Sequence, residues 1–365
     1  MEKVMKYIGY VLLLVALGFL LWKFSYIIGW ILIAAVISFT GQPLVRFFER
    51  IHVGRLRIPH TLSVVLSLMV ILLFFLGLLA IFVPLIINQA ETISKIDVAK
   101  LEQSLAQPLA WTDVKLHAFG AIPEGQSVQD FVVERLKAIV NFQTVGHLLG
   151  STISAAGSIF VGIFSILFIA FFFLKDENMF ENGLLLIIPE KHHQATRTVI
   201  DDSKSLLIRY FIGVFLEMLC VMSLTSLGLY ILGIKNALLI GFFCGLMNII
   251  PYLGPFIGFL IGITLGITST LAFGSIDELL PVIIKLCSVF FVVNFIDNNI
   301  LVPMIYARSV KSHPLEIFFV IIIGGGIAGL AGMLLAVPTY TLLRVIAREF
   351  FQKFRVVKKL TETIN

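Results

Sequence analysis

Apolar runs long enough to cross a lipid bilayer alternate along this chain with short charged connections. Residues 7–22 and 24–45 are two such runs, parted by Lys23, and residues 61–87, 151–174 and 210–232 are three more. A helix needs about twenty apolar residues to cross a hydrocarbon core about 30 Å thick, so the pattern predicts five plain membrane-spanning helices. The first run follows Lys3 and Lys6, lacks a small-x-small cleavage site and continues into the second. It predicts an uncleaved helix rather than a leader.

Beyond residue 232 the pattern changes. Residues 236–250 make an apolar run about three-quarters of the usual length, which enters Pro251-Tyr252-Leu253-Gly254-Pro255 before a second half at 256–268. Residues 281–303 are apolar except for Lys285, Asn294, Asp297, Asn298 and Asn299. The last tract, 315–343, is interrupted by Gly324-Gly325-Gly326, Gly329 and Gly332 and has basic residues on both flanks. One crossing would strand one of those flanks outside, against the preference of short basic loops for the cytoplasm. The tract is therefore predicted to enter and return, hinged at Gly324, Gly325 and Gly326, and the 236–268 pair is even-numbered as well. The predicted fold is an all-α integral membrane protein, a polytopic helical bundle with two hairpins that are re-entrant or broken. Both termini are placed in the cytoplasm, as Arg46, Arg50, Arg55 and Arg57 in the second connection also require.

The polar stretches complete the division. Residues 88–150 carry seven acids against five bases and are broken by Pro108, Gly120, Pro123 and Gly125, which predicts amphipathic helices resting on the outer face. Residues 175–209 mix both charges around an apolar patch at 184–188, as helices at the cytoplasmic interface do. The expected parts are spans one to three (1–87), the outer segment (88–150), the fourth span with its interfacial helices (151–209), a transport core (210–345) and a basic tail (346–365). Composition agrees: 59% of the 365 residues are hydrophobic and only 13% charged, against roughly 45–50% and 25% in soluble domains. The formal charge of +5 sits at span ends, where membrane orientation accounts for it without nucleic acid. Cys220, Cys244 and Cys287 lie inside apolar runs and read as packing residues.

Several residues carry possible chemistry. Pro251 and Pro255 each remove a backbone donor, and transporters use such breaks to hold substrate and ions. Asn248 adds an amide one turn earlier, with Tyr252 and Gly254 in the same break; a dry structural kink is the alternative. Asp297 is an ionisable residue deep in an apolar segment, a placement that costs about 2.5–3.5 kcal/mol on insertion scales and marks pathways or relays. Asn294, Asn298 and Asn299 surround it, so the helix is expected to be unwound or wet; an inter-helix clamp is the alternative. Glu217 is a second intramembrane acid, able to pair with Arg209 or Lys285 or to reach headgroup water. Lys285 itself is expected to snorkel. Gly324-x-Gly326-x-x-Gly329 matches a dinucleotide fingerprint formally, but no strand-turn-helix unit surrounds it. His192 and His193 have no zinc-spaced partners. The chain has no Walker lysine loop, no H-E-x-x-H and no G-x-S-x-G, so neither an enzyme nor a cofactor is expected.

Four ordered blocks resemble the AI-2E family of transporters: Asn248-Ile249-Ile250-Pro251-Tyr252-Leu253-Gly254-Pro255, then Ile296-Asp297-Asn298-Asn299-Ile300-Leu301-Val302-Pro303, then His313-Pro314-Leu315, then the glycine tract up to Pro338. The resemblance covers nearly the whole chain. It implies a bacterial inner-membrane protein that exports autoinducer-2 or small metabolites, or exchanges sodium for protons. It also implies a homo-oligomer, with a pentamer as one arrangement. Glu217 stands where the resemblance leads one to expect glutamine, Ala307 where glycine is common and Ser312 where leucine is usual. The extra acid points to a charged substrate or an ion-coupled cycle.

Overall fold

The computed structural model describes residues 23–53, 56–94, 161–176, 178–273, 278–306 and 313–350. The predicted first span, nearly all of the outer segment and the end of the basic tail lie outside them. The fold is all-α and polytopic. Its helices are α1 (Ser25–Arg50), α2 (His60–Ser94), α3 (Val161–Lys175), α4 (Met179–Ile187), α5 (His193–Ile231), α6 (Ala237–Met247), α7 (Leu253–Phe273), α8 (Leu279–Ile296), α9 (Val302–Tyr306) and α10 (Pro314–Phe350). A two-residue antiparallel pairing, β1 (His52–Val53) with β2 (Leu56–Arg57), joins α1 to α2. Five of the described helices are long and apolar enough to cross a membrane.

The chain divides into two compact units, one of residues 1–75 with 154–211 and the other of residues 76–153 with 212–365. In the first, Ala34 and Val45 of α1, Val64 and Leu68 of α2, and Ala170 and Leu174 of α3 form the core. Gly41 lets α1 lie close to Ile71 and Leu174, whose methyl groups a Cβ would meet at 3.3 and 3.4 Å. The helix ends are tied by His60, with Nδ1 2.6 Å from Glu49 Oε1 and Nε2 3.2 Å from the Lys175 carbonyl.

Interfacial helices were expected throughout 175–209, and α4 is one short helix in that stretch. From His193, however, the chain forms one 39-residue helix that runs through the charged stretch into the fifth span. The boundary expected at residue 209 is absent because no proline or glycine occurs between His193 and Gly213, so nothing stops propagation.

The second unit is assembled on glycines. Helices α6 and α7 pack antiparallel: a Cβ on Gly258 would lie 3.0 Å from Cys244 Cα, one on Gly262 3.0 Å from Ile240 Cγ2, and one on Gly254 would strike the Met247 carbonyl. Gly245 places α6 directly on α5, where a Cβ would lie 2.6 Å from the Met218 carbonyl. Gly266 meets Leu286 of α8. With lipid outside there is little hydrophobic drive for helices to associate, so close backbone approach at small residues supplies the contact. The buried cluster around Val221, Leu229, Ile240, Leu286 and Val293 fills the space between them.

Helix α10 is two helices in one. Residues 316 and 340 would stand about 36 Å apart in a straight helix, yet Tyr340 Oη donates to Glu316 Oε2 at 2.6 Å. The chain reverses at Ala328 and Gly329, the latter with φ 56° and ψ −138°. This corrects the hinge expected at Gly324, Gly325 and Gly326. A reversal needs a residue that accepts positive φ, and Gly329 supplies it. Gly324 instead lies directly against the Gly332 backbone, and Gly325 faces Met333. A Cβ on Gly326 would meet nothing within 4 Å.

That contrast is testable. Gly332→Ala drives a methyl group into the Gly324 carbonyl and is expected to cost about 2 kcal/mol or more. Gly326→Ala is expected to stay within roughly 0.5 kcal/mol. Thermal unfolding of the two variants in detergent measures both, and equal losses would contradict the hairpin.

Candidate functional site

The first hairpin turns in five residues. Helix α6 ends at Met247, and the break closes on itself: Ile250 N–H donates to the Met247 carbonyl (3.0 Å), Leu253 N–H to Pro251 (2.8 Å) and Gly254 N–H to Ile250 (2.8 Å). Pro251 sits where no helical donor is required, and Pro255 falls in the first turn of α7, where its missing N–H costs nothing. Tyr252 takes φ 65° and is half exposed. An ordinary residue in that region carries strain.

Asn248 begins this turn and is 5% exposed. Its Nδ2 donates to Glu217 Oε1 of α5 at 3.1 Å and to Asp297 Oδ2 at 3.5 Å. Glu217 and Asp297 are equally buried, at 5% and 4% exposure. The two carboxyl groups are near enough to interact directly. Asp297 Oδ1 is buried without a hydrogen-bond partner. One amide donor thus serves two buried acids carried by different helices. Neighbouring acids of this kind need a proton or a cation between them, because an unpaired charge out of water is costly.

Asp297 also opens a π-helical turn, Asp297–Leu301, between α8 and α9. Such widened turns occur at functional sites, and this one stands where an unwound or wet helix was expected. The neighbouring amides turn away. Asn294, Asn298 and Asn299 are exposed and bond along their own helix, Asn298 to Asn294 and Asn299 to the Phe295 carbonyl. The expected cluster therefore separates: Glu217, Asn248 and Asp297 converge, Pro251, Tyr252, Gly254 and Pro255 build the adjoining turn, and the three asparagines lie on the outer surface. The pairing of Glu217 with Lys285 is corrected as well, since Lys285 Nζ donates to the Leu232 carbonyl at the end of α5 (3.0 Å). Burial also removes Glu217 from headgroup water.

A second polar cluster went unpredicted. At the open end of the same hairpin, Gln89 of α2 and Thr268 and Ser269 of α7 are buried around half-buried Asn236, which precedes α6 with φ 58°. The available signal was the Thr268-Ser269-Thr270 run at the end of an otherwise apolar helix. The three cysteines are free thiols. Among the described residues no group of three or more His, Cys, Asp or Glu side chains is placed to hold a metal ion.

Asn248→Ala strips both acids of their shared donor. It is expected to lower stability by about 1–3 kcal/mol, read as a fall in Tm in detergent, whereas Asn248→Gln should recover part of the loss.

Comparison with known proteins supplies the remaining evidence. The chain is 27% identical over 337 residues to YueF of Bacillus subtilis (strain 168), which carries the name of a transport protein; the match covers 90% of this chain and 84% of that one. It is 31% identical over 198 residues to PerM of Escherichia coli (strain K12), which carries the name of a permease, over 54% of each chain. A cyanobacterial relative, sll0060 of Synechocystis sp. (strain ATCC 27184 / PCC 6803 / Kazusa), named as a transport protein, is 26% identical over 87% of both chains. The family model described as AI-2E family transporter matches residues 10–352, nearly the whole chain and both hairpins with it, so this membrane protein belongs to the AI-2E transporter family.

Proposed function

We propose that the chain is a secondary transporter that exports a small polar molecule of the autoinducer-2 type, drawing on an ion gradient at Glu217, Asn248 and Asp297. The observation that carries this is one amide at the tip of a broken helix pair, shared by two buried carboxyl groups from two other helices. Broken helices hold substrate and coupling ions in transporters, and buried intramembrane acids mark relays. The sequence holds no Walker loop, which leaves a gradient as the energy source. One charge crossing 100 mV releases about 2.3 kcal/mol, enough for useful accumulation. In this reading residues 210–345 are the transport core, in the bacterial cytoplasmic membrane, with both termini cytoplasmic. The protein works as a homo-oligomer, as the family resemblance implies.

The unpartnered Oδ1 of Asp297 favours a second reading, sodium/proton exchange, in which the acids take a proton and a sodium ion in turn. A non-transporting envelope scaffold is the third.

Proteoliposomes decide among them. Autoinducer-2 flux under a proton gradient is expected for the wild type, and Asp297→Asn or Glu217→Gln should lower the initial rate roughly tenfold or more, since an amide cannot carry the coupling charge. Proton movement on adding sodium without autoinducer-2 flux would select exchange. Absence of both, with cell phenotypes rescued by the Asp297→Asn, Glu217→Gln double variant, would leave the scaffold.

A further inference from the structure

The first hairpin is held differently at its two ends. At the open end, where the chain enters α6 and leaves α7, four side chains form a buried network. Asn236 Nδ2 donates to Gln89 Oε1 and, at 3.0 Å, to Ser269 Oγ. Ser269 Oγ donates to Gln89 Oε1 (3.2 Å), Gln89 Nε2 donates to Thr268 Oγ1 (3.2 Å), and Thr268 returns its own proton to the Thr264 carbonyl (2.8 Å). Gln89, Thr268 and Ser269 are 4%, 1% and 1% exposed. None of these groups ionises, so neither pH nor an ion gradient bears on their bonds. Farther along the hairpin, Phe82 of α2 stacks on Phe242 of α6, with ring centroids 3.8 Å apart.

The tip is the opposite case. The side chain of Asn248 reaches out to two acids, over 3.1 and 3.5 Å, and beside it Tyr252 takes a strained backbone conformation with its ring half exposed. Those two bonds are to groups whose charge changes when a proton or cation arrives, and an arriving cation competes with Asn248 Nδ2 for the same oxygens.

We infer that the first hairpin is a tip-hinged gate: Gln89 of α2, with Asn236, Thr268 and Ser269, is the fixed anchor of its open end, and only the turn at 248–254 moves during the transport cycle. Gln89, Asn236 and Ser269 are then positioning residues that touch no solute. The inference rests on the transport reading and makes a distinct claim, because a hairpin that slid as a whole along α2 would have to break the network at every turnover.

The test joins the anchor covalently. In a background freed of Cys220, Cys244 and Cys287, the pair Gln89→Cys, Ser269→Cys is bridged by a bifunctional methanethiosulfonate reagent, with each single variant treated alike as a control. Gln89→Cys, Asn236→Cys replaces it if the first pair does not fold. The bridged protein is expected to keep at least about half of its unbridged flux, as a joint that never opens should. Loss of flux on bridging, restored by reducing agent, overturns the anchor and leaves the transport reading intact. If the wild type carries no flux, the transport reading fails instead, and hydrogen exchange on the wild type judges the anchor alone, as it also does if removal of the three cysteines abolishes flux. Raising sodium or lowering pH should then change exchange at amides 249–254 and leave 266–270 unchanged; parallel changes at both ends would refute it.

Discussion

A chain that reverses direction among apolar helices has no water to satisfy its turn, so the turn must satisfy itself. Both hairpins of this protein follow from that constraint. Their arms approach until only glycine fits, with Gly254 and Gly258 against α6 and Gly324 against Gly332. The first turn then closes within a few residues on its own backbone: Ile250, Leu253 and Gly254 each find a carbonyl two to four positions back. Backbone polarity is spent locally, and side-chain polarity is left for other work.

Where that side-chain polarity goes gives the second unit its character. At one end of the first hairpin, neutral amides and hydroxyls satisfy one another, the condition under which a buried polar network rigidifies a structure. At the other, one amide answers two acids, and Asp297 Oδ1 remains without a partner. A buried polar group left without a partner is costly. Asp297 further begins the π turn, so the helix carrying the acid is itself wound out of its regular repeat.

Much of this was legible in the chain. Apolar run length places the predicted spans at 24–45, 61–87 and 210–232 in described helices long enough to cross, because a bilayer imposes a minimum that no soluble core does, and the basic flanks of residues 315–343 anticipate the reversal at Gly329. Asp297 and Asn248 stood out as polar groups in apolar surroundings. Three matters were not legible, each for a physical reason. Several glycines in one tract can each serve as a hinge or as a packing surface, and only φ at Gly329 separates those uses. A helix period does not say which side of α8 faces inward when polar groups lie on more than one side, so Asn294, Asn298 and Asn299 were grouped with Asp297 although they face away. The Gln89 anchor joins residues 147 and 180 positions apart, a pairing that a single sequence does not encode locally. The continuity of α5 past residue 209 is legible in the absence of proline and glycine between His193 and Gly213, a signal that the mixed charge of that stretch opposes.

Glu217 gathers these threads. Where the family resemblance leads one to expect glutamine, an amide would bring its own two donors to Asp297 and the group would be satisfied without any titrating proton. Glutamate brings only acceptors when ionised. The site holds two buried acids and the Nδ2 of Asn248, which donates to one oxygen of each, while Asp297 Oδ1 has no partner. A proton on one acid or a cation between them would lower the cost of burying both, and in the transport reading either is the species that a membrane gradient drives. In the transport reading, glutamate at this position, where α5 lies against the hairpin tip, is what makes the occupancy of the site depend on the gradient.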